Sequence, residues 1–572
     1  MHGFCLGCFG LLALTLSPSQ LARLNQALMP YHAKYDPVEK MLRESFHSPG
    51  YHTTLADGEI HSTRSALMYA VALLDTGDEA LRLRAEEILR RVIALQDQDP
   101  KSKTYGIWSW FLEEPLAKMS PPDWNWADFC GVPLLQVALD HRNRLSPEVA
   151  ALVDDAIHHA ARSIQRRNVT VSYTNIAIMG TYVTLVAGEH YGWTDLRDYG
   201  LARLRRFYDY TKQQDAFTEY NSPTYSIVAL SELGRMRLHV QDAEAHRLVE
   251  ELYRRVWDDI AVHFHPPTRQ WAGPHSRCYN TLVKPTTLAV IQHATDGRVD
   301  LGADEPSITE QRLPLPCPRE LEKYFATLTA PRDVVKTYLQ AEPPVIGTTH
   351  LAPAFTLGSI SRGDLWNQRR ALVAYWGTPA KPSYLHLRFL RDGYDFADAQ
   401  FFSAQRGGDV LAAINFGTDG GNTHIGLDRI KNATVRAKDL RLRFEFGDAV
   451  KLAAPAKLSD AVQVQCGPVQ IALAVPHVVF GAEKPRWEVC PTGVAVVIYS
   501  GAEREFRFNE LEHAALGVAV RITTSELRPP AVTATGNAGR LALAWDKLRL
   551  SIPVRPDKII TLQHAVQYGS HD

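Results

Sequence analysis

Between about residue 20 and residue 335, apolar positions return with helical spacing. Leu81, Ala85, Ile88, Leu89, Val92 and Leu95 fall on one face of a 3.6-residue period, with Arg82, Arg84, Glu86, Arg90 and Arg91 opposite. Similar segments are predicted near 132–142, 146–167, 174–190, 196–212, 224–240 and 242–264, joined by short connections containing Pro, Gly or Asp. Such a succession suggests helical hairpins packed around an axis. Pro306, Pro314, Pro316 and Pro318 mark residues 301–320 as a connector, and beyond it the period changes to two. Leu440, Leu442, Phe444 and Phe446 alternate with Arg441, Arg443 and Glu445, and Val494–Tyr499 and Leu541–Trp545 are short runs of strand formers. Gly407-Gly408 and Asp419-Gly420-Gly421 read as hairpin turns. Helices followed by strands mean two consecutive domains. The expected division is an N-terminal extension or signal peptide over 1–19, an α/α toroid (an incomplete barrel of helices) over 20–335, and an antiparallel β-sandwich over 336–572.

Length agrees with that division, since 572 residues exceed what one hydrophobic core supports. Sixty-two basic and sixty-three acidic residues leave a formal charge of −1, so no global field recruits nucleic acid or an anionic membrane, and attraction for a polyanion must be local. Seven cysteines, at 5, 8, 130, 278, 317, 466 and 490, are too few and too scattered for a disulfide framework. Cys5 and Cys8 form a C-x-x-C without the second pair that a zinc site needs. Residues 3–16 are an apolar run of signal-peptide length, but only His2 precedes it where a basic stretch is usual, and Ser17-Pro18-Ser19 is an imperfect cleavage context. Periplasmic or secreted location is slightly favoured over cytoplasmic. No later stretch is long enough to span a membrane.

Four segments of the helical half carry polar and aromatic residues that amphipathic packing does not call for. Tyr105–Trp110 and Asp123–Asp128 place Trp108, Trp110, Trp124 and Trp126 within nineteen residues, with Asn125 and Asp128 beside them. Indole faces stack on sugar rings and keep an N–H for hydroxyls, although tryptophans of this kind equally fill a core. Asn175, in Ser172-Tyr173-Thr174-Asn175, opens an apolar helix, where free N–H groups and the helix dipole receive a carboxylate; simple capping is the alternative. In Thr218-Glu219-Tyr220-Asn221-Ser222-Pro223-Thr224-Tyr225, Ser222 is the expected cap and Pro223 the first-turn residue, so Tyr225 projects from that turn while Glu219, Tyr220 and Asn221 lie in the loop before it. The fourth segment, Trp271 to Tyr279, offers His275, Arg277 and Tyr279 on one turn: Arg277 for a carboxylate, His275 or Tyr279 for a proton. His263, His265 and His275 have a spacing that occurs by chance and do not call for a metal.

These segments, in this order, resemble the heparinase II/III-like and alginate-lyase group of polysaccharide lyases. That resemblance implies an α/α toroid joined to an antiparallel β-sandwich, an acidic polysaccharide or oligosaccharide as substrate, and no cofactor. Tyr173-Thr174-Asn175-Ile176 is similar to the segment whose Asn neutralises a uronate carboxylate. Pro223-Thr224-Tyr225-Ser226 is similar to the one whose Tyr acts as acid and often as base, and Leu357-Gly358-Ser359 with Asn367-Gln368 to the opening of the family's sandwich. Where those lyases place a His after the Asn, this chain has Ile176, and His275 is the nearest replacement.

The implied reaction is β-elimination: Asn175 and Arg277 neutralise the carboxylate and the enolate-like charge, and Tyr225, assisted by His275, moves the protons. A phenol titrates near 10, so Tyr225 as base calls for a cation such as Arg277 to lower it. Trp108, Trp110, Trp124, Trp126, Asn125, Asp128, Glu219, Tyr220, Asn221 and Tyr279 are the expected substrate contacts. Two other classes stay open: a glycoside hydrolase on the same scaffold with Asp128 and Glu219 as its carboxyl pair, and a glycan-binding protein without catalysis.

Overall fold

The computed structural model describes residues 16–303, 307–427, 430–448, 450–537 and 539–569. Cys5, Cys8 and most of the N-terminal apolar run lie outside them; among the described cysteines, Cys130, Cys278, Cys466 and Cys490 carry free thiols. The chain forms two compact units. The first comprises residues 1–210, 228–255 and 289–316, and the second residues 211–227, 256–288 and 317–572.

The first unit is helical. Its elements include α1 (Pro18–His32), α2 (Thr63–Asp75), α3 (Glu79–Ile93), α4 (Trp126–His141), α5 (Pro147–Arg167) and α6 (Thr174–Tyr191), with parts of α7 (Thr194–Gln214), α8 (Tyr225–His239), α9 (Ala243–His263) and α10 (Pro285–Ala294). Burial sorts them into layers. Along α6 every residue from Thr174 to Gly188 is buried, and α2 and α4 are nearly as enclosed. By contrast, α3 and α5 bury one stripe each, such as Ala85, Ile88, Leu89 and Val92, and expose the other face. A helix apolar all round needs neighbours on every side, whereas a striped one needs them on one. Accordingly α2 packs on α3 and α4, α4 on α5 and α6, and α3 on α5, giving inner and outer helices in alternation, the α/α arrangement expected of a toroid. Helix α4 starts six residues before the predicted 132 and carries Pro133 inside it, a residue that usually stops a helix.

The strands of the described β region pair antiparallel in every case. One sheet runs Arg486–Cys490, Gly493–Arg507, Thr434–Phe446, Lys381–Arg391, Leu372–Thr378, Phe355–Ile360, Val345–Ala352, Arg332–Leu339, with Tyr394–Asp395 beside Lys381–Arg391. A second runs Val462–Cys466, Val469–Phe480, Ala514–Thr523, Asp409–Phe416, Ala399–Arg406, Arg362–Asp364. Their facing side chains, among them Leu385, Leu387, Leu442, Phe444, Phe401, Ile414, Leu516 and Val518, form one core, so the pair is a sandwich. Alternation along Thr434–Phe446 puts Leu440, Leu442, Phe444 and Phe446 inward as the sequence pattern requires. Gly407-Gly408 closes a hairpin between Ala399–Arg406 and Asp409–Phe416. Asp419-Gly420-Gly421 does not: it belongs to the crossing from Asp409–Phe416 in one sheet to Thr434–Phe446 in the other, and the positive φ of both glycines bends that crossing. The C-terminal strands Thr533–Asn537, Arg540–Trp545, Leu548–Pro553 and Gln567–Tyr568 make a third sheet. Its Leu541, Leu543, Trp545, Leu550 and Ile552 cover the outer face of the second sheet at Phe402, Leu411 and Ala413.

Candidate functional site

Two loops of the second unit, 218–225 and 271–279, are fastened to each other through buried hydrogen bonds. Asn221 has no exposed surface and a φ of 40°, a left-handed conformation that Asn tolerates better than most residues. Its amide nitrogen donates to the carbonyls of Ala272 and Pro274, both at 2.8 Å, while its oxygen accepts from the Trp271 indole at 2.5 Å. Ser222 caps α8, accepting from the Tyr225 backbone N–H at 2.9 Å, and its hydroxyl donates to the Arg277 carbonyl at 2.6 Å. The Ser276 hydroxyl donates to the Tyr220 carbonyl at 2.6 Å. Beneath the second loop, Gly358 lies so close to Gly273 that a Cβ there would sit 1.8 Å from the Gly273 carbonyl oxygen, so only glycine lets the loop rest on strand Phe355–Ile360.

This fastening presents Tyr225 and Arg277 together. The Arg277 guanidinium donates from Nη2 to the Tyr225 hydroxyl at 2.9 Å and from Nε to the Gln368 side-chain oxygen at 2.9 Å, and Nη1 lies 3.4 Å from the Glu219 carboxylate. Its central carbon stands 4.6 Å from the Tyr225 ring and 4.9 Å from the buried Trp366 ring. The Tyr225 and Tyr279 hydroxyls are 2.6 Å apart; Tyr225 is half-buried and Tyr279 exposed. Burial pushes the Tyr225 phenol above its ordinary range, and the Arg277 charge opposes this without overcoming it. Burial also works against the Arg277 charge, yet Tyr225 and Glu219 keep its pKa raised.

His275 is 1% exposed. Its Nδ1 lies 2.7 Å from the Asn221 carbonyl, to which it donates, and its Nε2 lies 3.3 Å from the Tyr375 hydroxyl. Burial lowers it to about 3, so the ring is neutral at physiological pH. Tyr220 stacks on Tyr338 with centroids 3.9 Å apart, and burial raises its phenol to about 12. Thus Glu219, Tyr225, Arg277 and Tyr279 share one cluster, whereas Tyr220, Asn221 and His275 hold the loops that carry it. His263 and His265 are likewise engaged, His263 with the Asp259 carbonyl and the Tyr338 hydroxyl, His265 with Thr268 and the Ala352 carbonyl. No group of three metal-binding side chains is found among the described residues. Trp366 is the member that sequence reasoning missed; the one available signal was its place just before Asn367-Gln368.

The first unit holds the other predicted residues. Trp108 is wholly buried and its indole donates to the Val92 carbonyl at 3.0 Å, which makes it a core residue with no face left for a ligand. Trp110 and Trp126 are half-buried with centroids 5.2 Å apart; their N–H groups go to Asp123 and Thr63. Trp124 donates to the Lys103 carbonyl. Asn125 accepts from Arg167 at 2.7 Å and donates to the Tyr173 hydroxyl at 3.4 Å. Asn175 stands in the first turn of α6, 4% exposed, its side-chain oxygen accepting from the Ile176 N–H at 2.6 Å. Asp128 is 2% exposed, one of its oxygens has no partner among the described residues, and burial raises it to about 7 against the pull of Arg167 and Arg203.

Comparison with other proteins gives a class of similar structures rather than a characterised relative. Residues 30–298 match a family profile described as a domain of unknown function, DUF8769. No curated protein matches the chain. The solved structures to which it is similar include polysaccharide lyases. Heparinase III aligns over 96% of this chain and 92% of its own at 12% identity, with a TM-score of 0.49. The chondroitin AC lyase of Streptomyces coelicolor A3, in complex with chondroitin sulphate, aligns over 94% and 85% at 11% identity, with a TM-score of 0.45. Heparan sulfate lyase HepC from Pedobacter heparinus aligns over 97% and 89% at 11% identity, with a TM-score of 0.33. No helix among the described residues is long and apolar enough to cross a membrane.

Proposed function

We propose that the protein is a polysaccharide lyase that cleaves a uronate-containing glycan by β-elimination at the Tyr225–Arg277 cluster. The observation that carries this reading is the Tyr225 hydroxyl held between a fixed guanidinium and a second phenol. Removing the C5 proton of a uronate requires charge neutralisation at its carboxylate, and Arg277 supplies a cation already oriented by Glu219 and Gln368. Asn175 keeps the carboxylate-neutralising role that the family resemblance implies. The raised pKa of Tyr225 keeps it protonated, which suits the acid that protonates the leaving oxygen as the C4–O bond breaks. The C5 proton goes to Tyr279 acting as the phenolate, its oxygen 2.6 Å from the Tyr225 hydroxyl, while protonated Tyr225 serves as the acid. His275 supports this chemistry from behind, by holding the Asn221 carbonyl and with it the loop before Tyr225.

One observation favours the hydrolase reading: Asp128, raised to about 7, has the protonation expected of a general acid. The two are separated by their products. Elimination leaves a conjugated unsaturated uronate with an ultraviolet band, hydrolysis a saturated sugar. A panel of glucuronan, alginate, heparan and chondroitin substrates with Tyr225→Phe as control decides the matter; sugar release without the band, abolished by Asp128→Asn and Glu219→Gln but not by Tyr225→Phe, overturns the lyase reading.

A further inference from the structure

Within the helical unit lies a cavity of about 80 Å³ that the chemistry above does not use. Four helices line it, α2 through Arg64, α4 through Gln136, α6 through Met179 and α8 through Ser231, Glu232 and Arg235, and the segment 308–312 closes it. At roughly 10–15 Å³ for each water that fits, this volume takes about five waters or one small molecule.

Its lining is built from charged and polar groups that the protein does not satisfy. Among the described residues, Gln136 Nε2, Ser231 Oγ, Arg235 Nε, Thr309 Oγ1 and Arg312 Nη1 are buried without a hydrogen-bond partner, as is Glu232 Oε2. Gln136, Ser231, Glu232, Arg235 and Arg312 are each no more than 5% exposed. Each orphan is expensive, about 1–3 kcal/mol, so six of them around one void point to something that occupies it. Five of the six can donate and one can only accept while ionised. The two guanidiniums are also immobilised: Arg312 by Asp75 at 2.8 and 3.0 Å and by Asp140 at 2.8 Å, Arg235 by Glu232 at 2.5 Å. Each is thus fixed with one guanidinium nitrogen, Nη1 of Arg312 and Nε of Arg235, still without an acceptor. Apolar residues including Val71, Val132 and Met179 complete the wall.

We propose that this cavity is a binding site for a small oxyanion, a carboxylate or an inorganic phosphate or sulfate, received by the unspent N–H groups of Arg235 and Arg312 and by the Gln136, Ser231 and Thr309 donors. An acceptor-rich guest answers the five donors. A hydroxyl or acid proton on that guest answers Glu232. The proposal is independent of what Tyr225 does.

The test is calorimetric titration of the full chain with sodium acetate, phosphate and sulfate at matched ionic strength, with sodium chloride as the blank, and thermal unfolding under the same conditions. At least one oxyanion is expected to bind with one-to-one stoichiometry and to raise the unfolding temperature saturably, while chloride does neither. Thr309→Val, nearly isosteric and at a half-buried position, and Ser231→Ala each remove one donor and are expected to weaken that binding about tenfold. Circular dichroism establishes that each variant is folded, and Thr309→Val keeps the test alive if Ser231→Ala is not. Absence of saturable binding by all three oxyanions overturns the proposal, as does unchanged affinity in the folded variants.

Discussion

Replacing Asn221 by Ala tests whether the two loops are held as the structure indicates. The substitution strips partners from two carbonyls, of Ala272 and Pro274, and from the Trp271 indole N–H, in a place with no exposed surface. A dry unsatisfied group costs about 1–3 kcal/mol, so three of them amount to roughly 3–9 kcal/mol if water does not enter. Ala must also adopt a φ of 40°, which adds roughly 1 kcal/mol. Asn221→Gly loses the same hydrogen bonds without the Cβ penalty, so it should be about 1 kcal/mol milder than Ala, and the difference isolates the conformational part. Urea unfolding followed by tryptophan fluorescence reads this well, because Trp271 itself loses its partner. An Asn221→Ala midpoint within 1 kcal/mol of wild type would refute the reasoning, and so would a Gly variant less stable than Ala.

Further expectations concern catalysis and pH. Tyr225→Phe should lower turnover about 10²–10⁴-fold on a susceptible glycan while leaving the far-ultraviolet dichroism unchanged, since it removes one hydroxyl from a half-buried ring. Arg277→Lys should also fail, because one ammonium cannot reach Tyr225, Gln368 and Glu219 as the three guanidinium nitrogens do; rescue of wild-type rate by Lys would count against an oriented cation. Asp128 holds its proton up to about pH 7 when folded but loses it near 4 when unfolded, so stability should fall as pH rises between those values and stay flat above. Asp128→Asn should abolish that slope and stabilise the protein at pH 8, by at most roughly 4 kcal/mol for three units at about 1.4 kcal/mol each; equal stability of the two at pH 8 contradicts the shift. His263, His265 and His275 carry the opposite sign: lowered to about 4, 4 and 3, they bind protons more readily unfolded, so stability present above pH 6.5 should drain away as pH falls toward 3. His275→Gln should flatten that acid limb measurably in urea midpoints taken at pH 7 and pH 5.

Much of the fold was legible because period and burial are the same physics. The stripe Leu81 to Val92 and the alternation Leu440 to Phe446 each bury one face and expose the other, and each forms the element its period predicts. Inner helices were harder to delimit. Helix α4 is apolar on all sides, so no polar face marks its phase, and Pro133 gave a stop signal that buried packing overrides. The third sheet was not foreseen, because Leu541–Trp545 alternates in the same way whether it joins the main sandwich or covers its outer face. The Asp419–Gly421 turn failed for a related reason: glycine reports that the chain bends, not which sheet it enters next.

At the candidate site, residue type alone separated the Tyr225–Arg277 cluster from the residues that hold its loops only in part. Tyr225, Arg277, Glu219 and Tyr279 were all named from loops dense in polar groups, and they share one cluster. Asn221, expected as a substrate contact, and His275, expected as a proton carrier, are both buried with their polar atoms aimed at backbone carbonyls or core side chains. The distinction follows from what a tight turn needs. A loop that passes through a left-handed residue and lies against a sheet leaves carbonyls pointing inward, and these must find donors. Asn with its amide, neutral His with its Nδ1–H and Ser with its hydroxyl all supply donors inside a turn without burying a charge, as Asn221, His275, Ser222 and Ser276 do here. A sequence that fixes a catalytic loop rigidly therefore draws on the same residue types as one that performs the catalysis, and only burial tells them apart.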